Sequence, residues 1–242
     1  MPGIDTETPP RIYARVAGLA YIAVILLGIL SVSYIDTNII VPGNDAATVN
    51  NIMTNELRFR ISVLSEMVMY VLVVLLSLAL YVILESVNSN LALLALLWRL
   101  GEAIVGVGVA VLGGFVPLLL LKHGEAIETE QLQLLAGTFL DIRNAGLDVV
   151  LIFIGVGGTL FCYLFFRSGY IPRILSVWGM FTYLSMLILA VTGILVPDLP
   201  ESIKMAFYVP GGLFELIVGL WLLAKGVNIE QWKVYASGPG KI

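Results

Sequence analysis

An all-α, polytopic membrane bundle of six crossings is the fold this chain predicts, and three observations predict it. Six apolar stretches, each about as long as a bilayer is thick, follow one another along 242 residues. Hydrophobic side chains make up 59% and charged ones only 12%, where a soluble domain carries about 25% charged residues. The interruptions between the stretches are short and rich in turn formers, as expected of helices joined end to end in one membrane domain spanning residues 1–242.

The first span covers about residues 14–34. Arg11 and Arg15 ahead of an apolar run that ends in Ser31-Val32-Ser33 imitate a cleavable signal peptide, but the segment is expected to be kept as a crossing. Tyr13, Tyr21 and Tyr34 are available to it as interfacial or interior aromatics. A polar loop follows, in which Val41-Pro42-Gly43-Asn44-Asp45 reads as a turn and Asp45 as the cap of a short surface helix over about 45–56. Span two takes about 59–84, and Glu85 to Asn90 returns the chain in a tight hairpin.

Span three, about 91–121, is too long for a straight crossing at 1.5 Å per residue. Gly113, Gly114 and Pro117 are the places for it to bend or end. Leucines at helical spacing after residue 126 lead into span four, about 141–166, with Gly137 as the joint. A short basic loop, Arg167 to Arg173, precedes span five, about 174–196, which Pro197 and Pro200 close. Span six covers about 205–224, with Pro210-Gly211-Gly212 able to kink its first half, and a polar tail follows from Lys225.

Six crossings put both termini on one side. With the termini inside, seven basic residues lie on inner segments (Arg11, Arg15, Arg167, Arg173, Lys225, Lys233, Lys241) and five on outer ones (Arg58, Arg60, Lys122, Arg143, Lys204), a modest bias toward cytoplasmic termini in a plasma membrane. A faint parallel repeat runs Arg15, Pro42, Glu66 against Arg173, Pro197, Glu215.

Several function classes drop out. The net charge of −4 with no basic cluster excludes nucleic acid as a partner. Cys162 is the single cysteine and reads as packing; His123 is the single histidine and reads as a loop residue, so neither supports zinc or haem, and no cofactor is expected. The Gly155-Val156-Gly157-Gly158 run lacks the strand before it and the Lys-Ser/Thr after it that a phosphate loop needs. Neither a Ser-His-Asp set nor His-Glu-x-x-His occurs, which argues against an enzyme and leaves no catalytic residues to name.

The charges inside the spans remain. A charged side chain at the bilayer centre costs roughly 2.5–3.5 kcal/mol on insertion scales, so such residues turn inward and find partners. Arg99 and Glu102, three apart, share a helix face and can pair. Asp141, Asn144 and Asp148 form a polar stripe on span four that is expected to face protein or water, with Arg143 displaced to its side. Depth counting brings Glu66, Asp148 and Glu215 together roughly 10–15 Å from the outer edge. Four interior acids then face two arginines, and a dry bundle requires at least one carboxyl to take up a proton or to face a cation. The candidate site is therefore Glu66, Arg99, Glu102, Arg143, Asn144, Asp148 and Glu215. Arg99 and Arg143 would hold an anionic group or lock carboxylates, and Glu66, Asp148 and Glu215 would bind a cation or proton. Binding or transport of a small polar ligand or ion is the expected function; the alternative is an accessory subunit docked on other membrane subunits, its charges a satisfied structural network.

Ala14-Arg15-Val16-Ala17-Gly18-Leu19, Val41-Pro42-Gly43 with Asp45-Ala46-Ala47, Trp98-Arg99-Leu100 with Glu102-Ala103, Arg143-Asn144 with Gly146, Ser168 to Arg173, and Glu215 followed by Leu220-Trp221-Leu222-Leu223 and Lys225-Gly226 occur in order along the chain. As a set they resemble the prokaryotic multi-pass membrane family known as domain of unknown function 4386. The resemblance implies a multi-pass membrane protein and no particular chemistry. Where members of that family often carry a histidine near the start of span four, this chain has Arg143-Asn144.

Overall fold

Asparagines start three of the helices: the side chains of Asn44, Asn88 and Asn228 accept hydrogen bonds from the backbone N–H groups of Ala47, Leu91 and Gln231 and so satisfy donors that a first turn leaves open. The computed structural model describes residues 8–35, 39–41, 43–124, 127–196 and 199–237. Its elements are α1 (Thr8–Ile35), α2 (Asp45–Thr54), α3 (Glu56–Leu84), α4 (Ser89–Ala110), a π-helical turn (Val111–Phe115), α5 (Val116–His123), α6 (Thr129–Ser168), α7 (Arg173–Leu195), α8 (Glu201–Ala224) and α9 (Ile229–Ala236). Among the described residues no strand occurs.

Six helical segments are long and apolar enough to cross a membrane, with α4, the π turn and α5 counting as one. Each packs on its sequence neighbour, and α8 returns to α1, so the spans form a closed ring: α1, α3, α4, α6, α7, α8. Alternating direction makes every neighbouring pair antiparallel, the closing pair included, because the number of spans is even. Small residues permit the tightest seams. A Cβ on Gly18 of α1 would lie 2.5 Å from the backbone nitrogen of Leu223 in α8, so only glycine lets these two helices meet there. Across the ring, α3 touches α6.

At the end that holds the chain termini, Gly169 (φ 67°) and Gly226 (φ 70°) turn the chain out of α6 and α8 in the left-handed conformation that glycine adopts without strain. The Asn228 amide donates to the Tyr170 carbonyl at 2.9 Å, tying these two turns together. Tyr170 shares a 2.9 Å hydrogen bond with Ser86 of the α3–α4 hairpin, and burial pushes its pKa up to about 12, so the hydroxyl stays neutral.

At the other end, α2 packs over α3, α5 and α6 and buries Ile52 beside Ile39 and Phe59. Glu56 pairs with Arg60 of its own helix (2.6 Å) and ties α3 to α5 through Lys122 (3.0 Å).

Several expectations are corrected. Asn44, not Asp45, caps α2, and Asp45 instead lies over Gly137, whose missing side chain makes room for it. Gly137 is therefore a docking point rather than a joint, and α6 runs through it as one helix of 40 residues, about 60 Å long and so about twice the thickness of the hydrocarbon core. The expected irregularity in span three is the π turn at Val111–Phe115, and Pro210 lies inside α8. The tail contains α9, signalled by Asn228 as its cap. Pro42 and Pro197, on which the turn and the internal repeat depended, lie outside the described residues.

Candidate functional site

Arg99 and Glu102 project from one face of α4, one turn apart. Arg99 Nη1 lies 2.6 Å from Glu102 Oε2, with both side chains buried. The contact is close but poorly aligned, so neither atom gains a proper hydrogen bond. The stem of Arg99 lies against Gly157 of α6, where a Cβ would come within 3.0 Å of its Cγ. Facing this pair, Tyr183 of α7 donates a 2.9 Å hydrogen bond to Glu215 Oε1 on α8. Tyr21 of α1 and Cys162 of α6 lie within electrostatic range of Glu215 and Arg99. Arg99 is the cation that acts on both Glu102 and Glu215. Five of the six spans thus converge on a site with two carboxyl groups and one guanidinium. Tyr183 is held in place by Gly158 beneath its ring and by an edge contact with Phe214, centroids 5.7 Å apart.

A second group lies nearer the α2 end. Arg143 of α6 crosses to α3 and donates to Glu66 Oε2 from Nη2 at 3.1 Å and from Nε at 3.4 Å. Both side chains are buried. The π turn makes this possible: Gly113 lies directly beneath the Arg143 side chain, where a Cβ would collide with it, and Gly114 receives Val63. Such inserted turns are found disproportionately at functional sites. One helical turn beyond Glu66, Tyr70 rests its ring on Gly106 of α4 and lies within electrostatic range of Glu66, Glu102 and Arg143. Tyr70 therefore stands between the two groups.

Counted from the terminal end at 1.5 Å per residue, Arg99 and Glu215 lie about 15 Å deep, Tyr70 about 21 Å and Glu66 about 27 Å. The common level expected for Glu66 and Glu215 is corrected to an axial offset of about 14 Å, because Glu66 lies 18 residues from the terminal end of α3 and Glu215 only nine from that of α8.

The stripe on α6 is also corrected. Asn144 and Asp141 are exposed on the outer face, while Arg143 points inward. A helix presents one face to its neighbours, and the buried set Ala136, Gly137, Leu140, Arg143 and Val150 has turned that face toward Glu66. Asp148 is half-buried at the seam with α7, against Gly193, with Lys204 as its nearby cation. Of the seven sequence candidates, then, three form one site, two form another, and Asp148 and Asn144 join neither. Sequence reasoning missed Tyr70 and Tyr183 as members; their signal was a phenol in mid-span, in one case four residues from an acid. Among the described residues no three His, Cys, Asp or Glu side chains converge as metal ligands, and His123 is exposed at the end of α5.

A family model described as Domain of unknown function (DUF4386) matches residues 16–226. No curated protein and no solved structure matches the chain.

Proposed function

Because this multi-pass membrane protein belongs to the DUF4386 family, whose description assigns no chemistry, we propose a function from the site itself: the chain binds a proton or a small cation at Arg99, Glu102 and Glu215 within the helical ring. We place it in a prokaryotic plasma membrane, as the family resemblance implies, with both termini cytoplasmic on the distribution of its basic residues.

One observation carries the proposal: two carboxyl groups, Glu102 in contact with Arg99 and Glu215 within its electrostatic range, have this one guanidinium between them. Where the dielectric constant is low, a carboxylate without a counter-charge is far more costly than one in water, so the surplus negative charge calls for a proton or a cation. Two further features support it. The misaligned Arg99–Glu102 contact leaves hydrogen-bonding capacity at both atoms. Glu215 is hydrogen-bonded to Tyr183 and within electrostatic range of Arg99, Tyr21 and Cys162, yet only half-buried. Tyr70, between the two groups, extends the polar path toward Glu66 and Arg143.

The test uses full-length protein in lipid nanodiscs, its melting temperature and tryptophan fluorescence followed against sodium, potassium, calcium and pH. A saturable response in wild type that Glu215→Gln abolishes, with the fold intact by circular dichroism, is expected. An unresponsive wild type, or a Glu215→Gln protein that responds unchanged, overturns the proposal and leaves the charges as a network that only orders the helices.

A further inference from the structure

At the terminal end, where α6 and α8 stop and α7 begins, an open cleft of about 500 Å³ lies between the α6–α7 turn and the α8–α9 link. Its lining includes Tyr170, Arg173, Trp221, Lys225 and Asn228. The charged side chains in that lining are both cations, and both are exposed. Among the described residues neither Arg173 nor Lys225 has an ion pair. The guanidinium of Arg173 is held over the Phe166 ring at 5.8 Å, and the floor is fixed by the Asn228–Tyr170 backbone bond. The walls are thus pre-formed rather than assembled on binding.

We propose that this cleft binds the phosphate headgroup of an anionic glycerophospholipid from the surrounding leaflet. Position argues for it, because the cleft lies at the level where three spans end, the depth of headgroups in a bilayer. Chemistry argues for it too: two unpaired cations beside an indole and a tyrosine match a phosphate diester, and basic hollows between membrane helices are a recurring site for such groups. The apolar flank completes the match. Ile174, next to Arg173, is 78% exposed, and Phe166 and Leu223 are exposed alongside, a surface on which acyl chains can lie while the phosphate reaches the cations.

The experiment places the full chain in phosphatidylcholine nanodiscs and titrates phosphatidylglycerol carrying brominated acyl chains, reading quenching of tryptophan fluorescence. Saturable quenching by phosphatidylglycerol but not by brominated phosphatidylcholine is expected. Arg173→Gln and Lys225→Gln should each weaken it about fivefold, the equivalent of about 1 kcal/mol per basic residue. Arg58→Gln, which removes an exposed cation from the opposite end, should leave it unchanged. Equal quenching by both lipids, or equal affinity in the Arg173 and Lys225 variants and wild type, overturns the proposal. Competition by millimolar inorganic phosphate as strong as that by unlabelled phosphatidylglycerol also overturns it, in favour of a free anion.

Discussion

Two buried arginines do different work in this ring. Arg143 has one carboxylate, Glu66, and meets it from across the ring with two N–H donors. Arg99 touches Glu102 on its own helix without a well-aligned hydrogen bond through Nη1, and has Glu215 of α8 within electrostatic range as a second carboxyl group. The first arrangement is balanced and ties α6 to α3. The second places two carboxyl groups within range of one guanidinium, the imbalance on which the proposed function rests. A balanced buried pair holds two helices together, whereas an unbalanced group leaves a desolvation cost that pairing alone does not offset.

The comparison breaks most decisively at Arg143. Arg143→Ala strands Glu66 in the interior and should lower stability by about 3–5 kcal/mol, read from denaturation of the reconstituted protein, whereas the paired change Glu66→Leu with Arg143→Met should recover most of that loss. Crowding the same pair is the next test. Gly113→Val places methyl groups where the Arg143 side chain lies and should cost about 1–3 kcal/mol, while Gly108→Val, at a position with open space around it, should cost less. The sharpest contrast sets Glu66→Gln against Glu215→Gln. Removing the charge at Glu66 leaves a guanidinium unpaired and should destabilise by about 2 kcal/mol; removing it at Glu215 cancels the surplus and should be neutral or slightly stabilising. Equal losses at both positions would erase the distinction between the two sites. Tyr183→Phe, which deletes the hydrogen bond to Glu215, should cost about 1 kcal/mol and shift any cation or pH response. Asn144→Ala, on the outer face, should change stability by less than about 0.5 kcal/mol.

Particular residues show where reading the chain succeeded and where it stopped. Arg99 and Glu102 pair as their spacing requires, because partners one turn apart on a helix need no knowledge of any other helix. Arg143 illustrates the opposite case. Asp141, Asn144 and Asp148 make the better polar stripe on paper, yet it is the residue between them that turns inward, since Glu66 on α3 and the opening left by Gly113 lie on that side. No periodicity within α6 contains that information. The relative depth of Glu215 depends on other helices in the same way: it lies nine residues from the terminal end of α8 while Glu66 lies 18 from that of α3, and packing sets how those two ends align. Tyr183 and Tyr70 could be noticed only as phenols out of place in apolar runs until their partners were known.

What the amino-acid order determined alone is the number of crossings, their approximate bounds and the presence of ionisable groups among them, because a bilayer requires of each span only length, apolarity and an internally bonded backbone. Which way each helix rotates, how deep its charges come to rest and which carboxyl shares which guanidinium were decided by the closure of the ring. Those outcomes depend on contacts between helices, where a glycine on one determines how near the side chain of another can come, and that geometry exists only once all six spans are packed together.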